Sequence, residues 1–147
     1  MKKVAIINGP NLNLLGDREK SIYGEKSFEA VLADLKEYSN QNNIELEYFQ
    51  SNSEGEIIDR LHSYGGSTDF IIINPGALTH YSYSIHDAIL AIKIPVIEVH
   101  ISNIFAREQW RQKSVISPAA KGVLSGLGID VYKIALIYIA EYCGNKP

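Results

Sequence analysis

Only one cysteine, Cys143, stands in 147 residues, so no intrachain disulfide can form and no C-x-x-C pair is present to bind a metal. That usage fits a reducing compartment. No apolar run approaches the length that crosses a bilayer, and the short apolar stretch after Met1 soon meets Asn8-Gly9-Pro10, too early for a signal-peptide core. The expected location is the cytoplasm, with no membrane partner. An excess of basic charge is missing too: 14 Lys and Arg against 17 Asp and Glu give a net charge of −3, which argues against a nucleic-acid partner. A small anionic ligand stays open, because a local arginine cluster acts inside an acidic chain. There is no P-loop, no G-x-G-x-x-G and no H-E-x-x-H, and Ser82 and Ser84 lack the G-x-S-x-G setting of a hydrolase elbow. Nor is there a repeat, a low-complexity tract or a linker, so residues 1–147 read as one domain.

What is present is an ordinary globular balance, 46 % hydrophobic and 21 % charged, enough for a core without covalent staples. Residues 4–8 form a compact apolar run, as in a strand buried on both faces. A long loop rich in Gly, Asn and charge is expected over about 9–24. Ser27 can cap a helix reaching about residue 42, with Phe28, Val31, Leu32 and Leu35 as its apolar stripe. A strand over 44–49 comes next, then a helix opened by Ser53 with Glu56 placed to close a capping box, and ended by Gly65-Gly66. Residues 69–74 are the clearest strand, stopped by Pro75-Gly76. The pattern then predicts a helix over 82–92, a strand over 95–100, an irregular segment over 101–120 with a turn of helix near Arg107, a short strand over 122–125 and a helix over 130–142. Alternation of strand and helix points to an α/β domain with a parallel sheet. Five strands in so short a chain suit a flavodoxin-like, doubly wound sheet better than a barrel. The last helix carries Ile134, Leu136, Ile137 and Ile139 in several directions, as if covered on more than one side, by a partner subunit among the options.

Ligands of open parallel sheets bind beyond the carboxyl ends of the strands. Those ends bring Asn8 and Asn11, then Asn74 with Thr79-His80, then Glu98, His100 and Ser102 to one rim. Asn8 and Asn13 serve equally well as turn formers. Glu98 lies two residues before His100, so both side chains share one strand face, and a carboxylate there can orient an imidazole and favour the form that donates a proton. His62 reads as a surface residue, and His86, beside Asp87, as outward-facing. In the long loop, Tyr23 comes after Arg18. A phenol with an unperturbed pKa of about 10 is a poor base unless a guanidinium favours its phenolate. Nine tyrosines in the chain leave an ordinary loop tyrosine the better reading on spacing alone. Spacing alone likewise favours a solvated turn for Arg107 and Arg111, paired with Glu108, although on a helix they would share a face.

The motifs in order carry more than any one of them. Ile7-Asn8-Gly9-Pro10-Asn11-Leu12-Asn13-Leu14-Leu15-Gly16 with Arg18-Glu19 and Ile22-Tyr23-Gly24, Gln50-Ser51-Asn52-Ser53-Glu54-Gly55-Glu56, Asn74-Pro75-Gly76-Ala77 with Thr79-His80, Glu98-Val99-His100-Ile101-Ser102-Asn103, Ala106-Arg107-Glu108 with Arg111, and Gly126-Leu127-Gly128 together resemble the type II 3-dehydroquinases over essentially the whole chain. The resemblance implies the flavodoxin-like fold, conversion of 3-dehydroquinate to 3-dehydroshikimate in the shikimate pathway, no cofactor, no metal, and a homododecamer built as a tetramer of trimers. It implies that Tyr23 is the base at C2, held as phenolate by Arg18, and that Asn11 stabilises the enolate through a water. His100, supported by Glu98, would protonate the hydroxyl leaving C1. Asn74, Ile101 and Ser102 would hold the substrate carboxylate, and His80 and Arg111 the ring hydroxyls. Asp87 would reach a neighbouring subunit's site, Arg107 would order the closed site, and the segment at about 9–24 would be a lid. The sequence departs from the family pattern at Lys20, where a proline is usual, at Tyr81, Tyr83 and His86, and at Phe105, Trp110, Lys113 and Val115, in a stretch usually rich in histidine and tyrosine. These positions bear on lid and assembly rather than on the reacting groups.

Overall fold

The computed structural model describes residues 1–17, 20–23 and 26–144, without the side chains of Lys20, Tyr23 and Cys143. Five strands, β1 (Lys2–Asn8), β2 (Ile44–Gln50), β3 (Phe70–Asn74), β4 (Val96–His100) and β5 (Gly122–Ser125), pair in parallel in the order β2-β1-β3-β4-β5. The flavodoxin-like expectation is met. Successive side chains of a strand point to opposite faces, and both faces here are apolar. Val4 and Ile6 of β1 with Phe70 and Ile72 of β3 enter one core cluster. That cluster is closed by α2 (Phe28–Gln41) and α5 (Asp130–Gly144). Ala5, Ile7, Ile71 and Ile73 enter the other, closed by α3 (Glu54–Ser63) and α4 (Tyr83–Ile92). Each such isoleucine, once buried, contributes about 1.5–3 kcal/mol, which fixes register because a one-residue slip would reverse every face.

Serine caps set three helix starts, as expected at Ser27 and Ser53 and found also at Ser82. The hydroxyl of Ser27 accepts from Ala30 N–H at 3.4 Å, that of Ser53 from Glu56 N–H at 3.3 Å, and that of Ser82 from Ile85 N–H at 3.1 Å. The reciprocal half of the expected capping box runs through a relay: Ser51 Oγ accepts from Ser53 N–H at 2.9 Å and donates to the Glu56 carboxylate.

Two expectations are corrected, at 9–24 and at His86. The segment 9–24 is not plain loop, since it contains a 3-10 turn at Leu12–Leu14 and a short helix, α1 (Lys20–Tyr23). Leu12 and Leu15 bury their side chains in the core and so tie the start of that segment down. The turn of helix expected near Arg107 is present as two 3-10 turns, Ile104–Ala106 and Gln109–Gln112, with Arg107 itself extended between them (φ −108°, ψ −156°), so it shares no helix face with Arg111. His86 is half-buried rather than outward-facing, because its Nδ1 bonds the Val115 carbonyl at 2.8 Å. His62 is exposed, as read from sequence. On α5, Leu136 and Ile139 are buried while Ile137, Tyr138 and Tyr142 are exposed. Among the described residues, no helix is long and apolar enough to cross a membrane.

Candidate active site

The chain steps outward from β1 to β2 and then returns to the other side of β1 for β3, so the loops after β1 and β3 part at the sheet's switch point. Gly9 N–H donates to the Asn74 carbonyl at 2.7 Å, which draws the two strand ends together. A Cβ on Gly9 would stand 2.5 Å from the Pro75 carbonyl oxygen, so only glycine fits there. Beyond this point the backbone turns left-handed at Asn11 (φ 71°), whose N–H donates to Asn52 Oδ1 at 3.0 Å. Gln50 Nε2 donates to the Gly9 carbonyl and to Asn52 Oδ1, each at 3.2 Å. The end of β2 thereby props the loop that carries Asn11.

A directional hydrogen-bond chain supports the floor. Asn74 Nδ2 donates to the Tyr132 hydroxyl at 2.9 Å, Tyr132 donates to Asn8 Oδ1 at 2.7 Å, and Asn8 Nδ2 donates to the Tyr48 hydroxyl at 3.4 Å. Asn74 Oδ1 accepts from Gly76 N–H at 3.2 Å. Burial pushes the pKa of Tyr132 well above the usual phenol range, and that of Tyr48 also upward, so both hydroxyls stay protonated. Asn8 is thus a buried structural amide beneath the cleft.

Under the cleft's other wall, Glu98 has no exposed surface. Its Oε2 lies 2.6 Å from His100 Nε2, and its oxygens accept from the hydroxyls of Ser114 and Ser117 at 3.0 Å. A buried carboxylate needs such donors. Ser114 also pairs with Thr79 Oγ1 at 3.3 Å. With Nε2 held by Glu98, the ring of His100 has Nδ1 left for the cleft it lines. The rotational position and tautomer of the imidazole are therefore set from below.

His80 Nδ1 bonds the Lys113 carbonyl at 2.7 Å. Burial lowers its pKa from the ordinary histidine value; the Lys113 bond opposes this, and His100 and Arg111 reinforce it. Nδ1 is then the N–H, and Nε2 is an acceptor. Arg111 Nε donates to Glu108, whose carboxyl is held below its usual range by that bond. Arg107 Nη1 donates to Ser102 Oγ at 3.2 Å.

The cleft measures about 570 Å³ counting its open mouth, and Asn11, Asn74, His80, His100, Ile101, Ser102, Arg107 and Arg111 all line it. Glu98 sits beneath. Asp87 is exposed on α4 and does not line the cleft of its own chain. Arg18 and the side chain of Tyr23 lie outside the described residues. Tyr132, Ser114 and Ser117 escaped the sequence reading. A tyrosine on an otherwise apolar helix signals a buried hydroxyl in search of a partner, but no local signal marks the two serines. The arrangement offers an open-mouthed cleft with cationic groups on one side, an amide floor, and an imidazole backed by a carboxylate. It suits a small anionic, hydroxylated ligand and a proton transfer at its edge. Among the described residues, no cluster of three or more His, Cys, Asp and Glu is placed to hold a metal ion.

Comparison with known proteins agrees over nearly the whole length. The family model for dehydroquinase class II matches residues 2–140. A 3-dehydroquinate dehydratase of Caldicellulosiruptor bescii is 61 % identical over 142 residues, covering 96 % of this chain and 98 % of that protein. One of Bacillus subtilis is 44 % identical over 146 residues, covering 99 % of each. The crystal structure of a type II dehydroquinase from Butyrivibrio crossotus superposes with a TM-score of 0.92 at 47 % identity, covering 95 % of this chain and 97 % of that one. A match in sequence along all five strands, and in the backbone that places the cleft, makes this chain a member of the class II dehydroquinase family.

Proposed function

We propose that the chain dehydrates 3-dehydroquinate to 3-dehydroshikimate by anti elimination through an enolate, using its own side chains. The observation that carries this reading is the buried Glu98–His100 pair, 2.6 Å apart, opening onto a cleft that also holds Arg111, His80 and Asn74. Family membership and relatives named 3-dehydroquinate dehydratase support the substrate.

In this reading Tyr23, held as phenolate by Arg18, removes a proton from C2, next to the ketone. The electron pair passes into the enolate, whose charge Asn11 stabilises through a water. Collapse of the enolate forms the ring double bond and expels the C1 hydroxyl. His100 gives that oxygen the proton on Nδ1, so water leaves and the imidazole ends neutral with Nε2–H still on Glu98. Asn74 and Ser102, with the Ile101 N–H, hold the carboxylate. His80 accepts from a ring hydroxyl and Arg111 donates to one. Arg107, bonded to Ser102, orders this end of the site. The segment at 9–24 closes over the enolate and keeps out water.

We propose further that the protein works in the cytoplasm as a dodecamer of four trimers, with Asp87 completing a neighbouring site. Its exposed place on α4, outside its own cleft, supports that role. Light scattering is expected to give a mass that is a multiple of three chains, and a monomer would refute it. The reaction is tested by ultraviolet absorbance of protein mixed with 3-dehydroquinate in the presence of chelator, because the product is a conjugated enone and the substrate is not. Absorbance is expected to rise with wild type and almost not at all with Tyr23→Phe. A folded, assembled wild type that produces no rise would sink the reaction. Near-normal turnover by Tyr23→Phe would sink the phenolate.

A further inference from the structure

Trp110 is the chain's one tryptophan, and it is 54 % exposed, so it does little for the core. Its contacts are specific. The Arg111 guanidinium carbon lies 4.0 Å from the centroid of its ring. The His80 ring stands nearly perpendicular to it, at 5.3 Å between centroids and 87° between planes. Both neighbours line the cleft, whereas Trp110 does not.

Among the described residues, each neighbour has one polar anchor of its own. Arg111 gives Nε to Glu108, and its side chain is only 18 % exposed while that of Glu108 is 54 % exposed. His80 gives Nδ1 to Lys113. A single hydrogen bond fixes a pivot and leaves the plane of the group free to swing. An aromatic face supplies the missing constraint without consuming a donor or acceptor, because a guanidinium hydrogen-bonds in its plane and stacks across it. Arg111 thus keeps its Nη groups, and His80 its Nε2, for a ligand.

We propose that Trp110 is a positioning residue, which fixes the planes of Arg111 and His80 so that the cleft meets a hydroxylated ring ligand already organised. The inference rests on the dehydration reading for its ligand, though not for the ordering of Arg111 in the free protein. Organisation present before binding serves ground state and transition state alike, so its loss raises KM and spares kcat.

Two measurements on the assembled protein test this. In Trp110→Ala, KM for 3-dehydroquinate is expected to rise about tenfold with kcat within about threefold, and Trp110→Phe, which keeps an aromatic face, is expected to restore most of the loss. A KM unchanged in Trp110→Ala, or a loss confined to kcat, overturns the proposal. Independently of substrate, the Arg111 Nε–H resonance in ¹⁵N-labelled protein is expected to exchange slowly in wild type and Trp110→Phe and quickly in Trp110→Ala. Equal exchange in all three overturns the proposal even where turnover is seen. A wild type with no turnover but with this exchange pattern refutes the reaction and leaves the positioning role standing.

Discussion

Replacing Glu98 with glutamine keeps the side chain's size and removes its charge, and the cost can be worked from the bonds this carboxylate makes. Both of its oxygens act only as acceptors: Oε2 for His100 Nε2 at 2.6 Å and for Ser117 at 3.0 Å, and Oε1 for Ser114 and Ser117 at 3.0 Å. Glutamine has one acceptor oxygen. With its NH2 toward His100, Nε2 must accept, so the neutral ring carries its proton on Nδ1 and the charged ring sets N–H against N–H at a position with no exposed surface. With its oxygen toward His100, the NH2 faces two serine hydroxyls, which must rotate to accept. Either way the ring loses its carboxylate partner, and a hydrogen bond to a charged group is worth about 1.5–3 kcal/mol. In the proposed mechanism this carboxylate is also what turns the donating N–H toward the leaving hydroxyl.

Turnover by Glu98→Gln is therefore expected to fall about 100- to 10,000-fold, the usual range for removing a positioned acid, with a far smaller change in KM. Stability is expected to fall by only about 1–3 kcal/mol, because the hydroxyls and the ring can find new orientations. Glu98→Ala takes the acceptor from buried His100 and from the half-buried Ser114 and Ser117 and is expected to cost about 3–5 kcal/mol. The assay is enone absorbance for kcat and KM, alongside thermal melts of both variants. A folded Glu98→Gln protein with kcat within about threefold of wild type would refute the idea that the carboxylate sets His100 for its work.

Two further outcomes are expected from the same geometry. Tyr132→Phe strands Asn74 Nδ2 and Asn8 Oδ1, both buried, and is expected to cost about 2–6 kcal/mol at about 1–3 per group; a urea midpoint equal to wild type would contradict the network. For His80, burial sets the folded pKa below the unfolded value of about 6.5, so the folded chain binds fewer protons. Its contribution to stability is complete above the unfolded value and is lost as pH falls through the folded one. An NMR titration is expected to place the His80 midpoint below about 6.5, and a midpoint at or above it would show that desolvation does not dominate.

The fold was legible where its causes are local. The apolar run of β3 is buried at every position, and serines at 27, 53 and 82 satisfy N–H groups three residues ahead. Legibility failed where long-range contacts decide. Leu12 and Leu15 are buried only because the core lies beneath them, and no local pattern marks the extended backbone that separates Arg107 from Arg111. The site divides in the same way. Glu98 and His100 are two residues apart on one strand, so period two alone places them together. Ser114 and Ser117 reach Glu98 from 16 and 19 residues away, through a segment without a period.

Tyr132 is the instructive case between these limits. It meets Asn8 across 124 residues, and nine tyrosines in the chain make any one of them uninformative by type. Yet an apolar helix that buries a phenol must bring its hydroxyl to a polar group, and a parallel sheet with β1 beside β3 places Asn8 directly opposite Asn74 in register. Two amides at the ends of adjacent central strands face the same demand from the opposite side. Each local signal states a need, and the strand order is what makes the three needs answer one another. Glu98 and His100 can thus be found as a pair by spacing along the chain. Those that hold them still are found only after the topology has decided which distant groups share a layer.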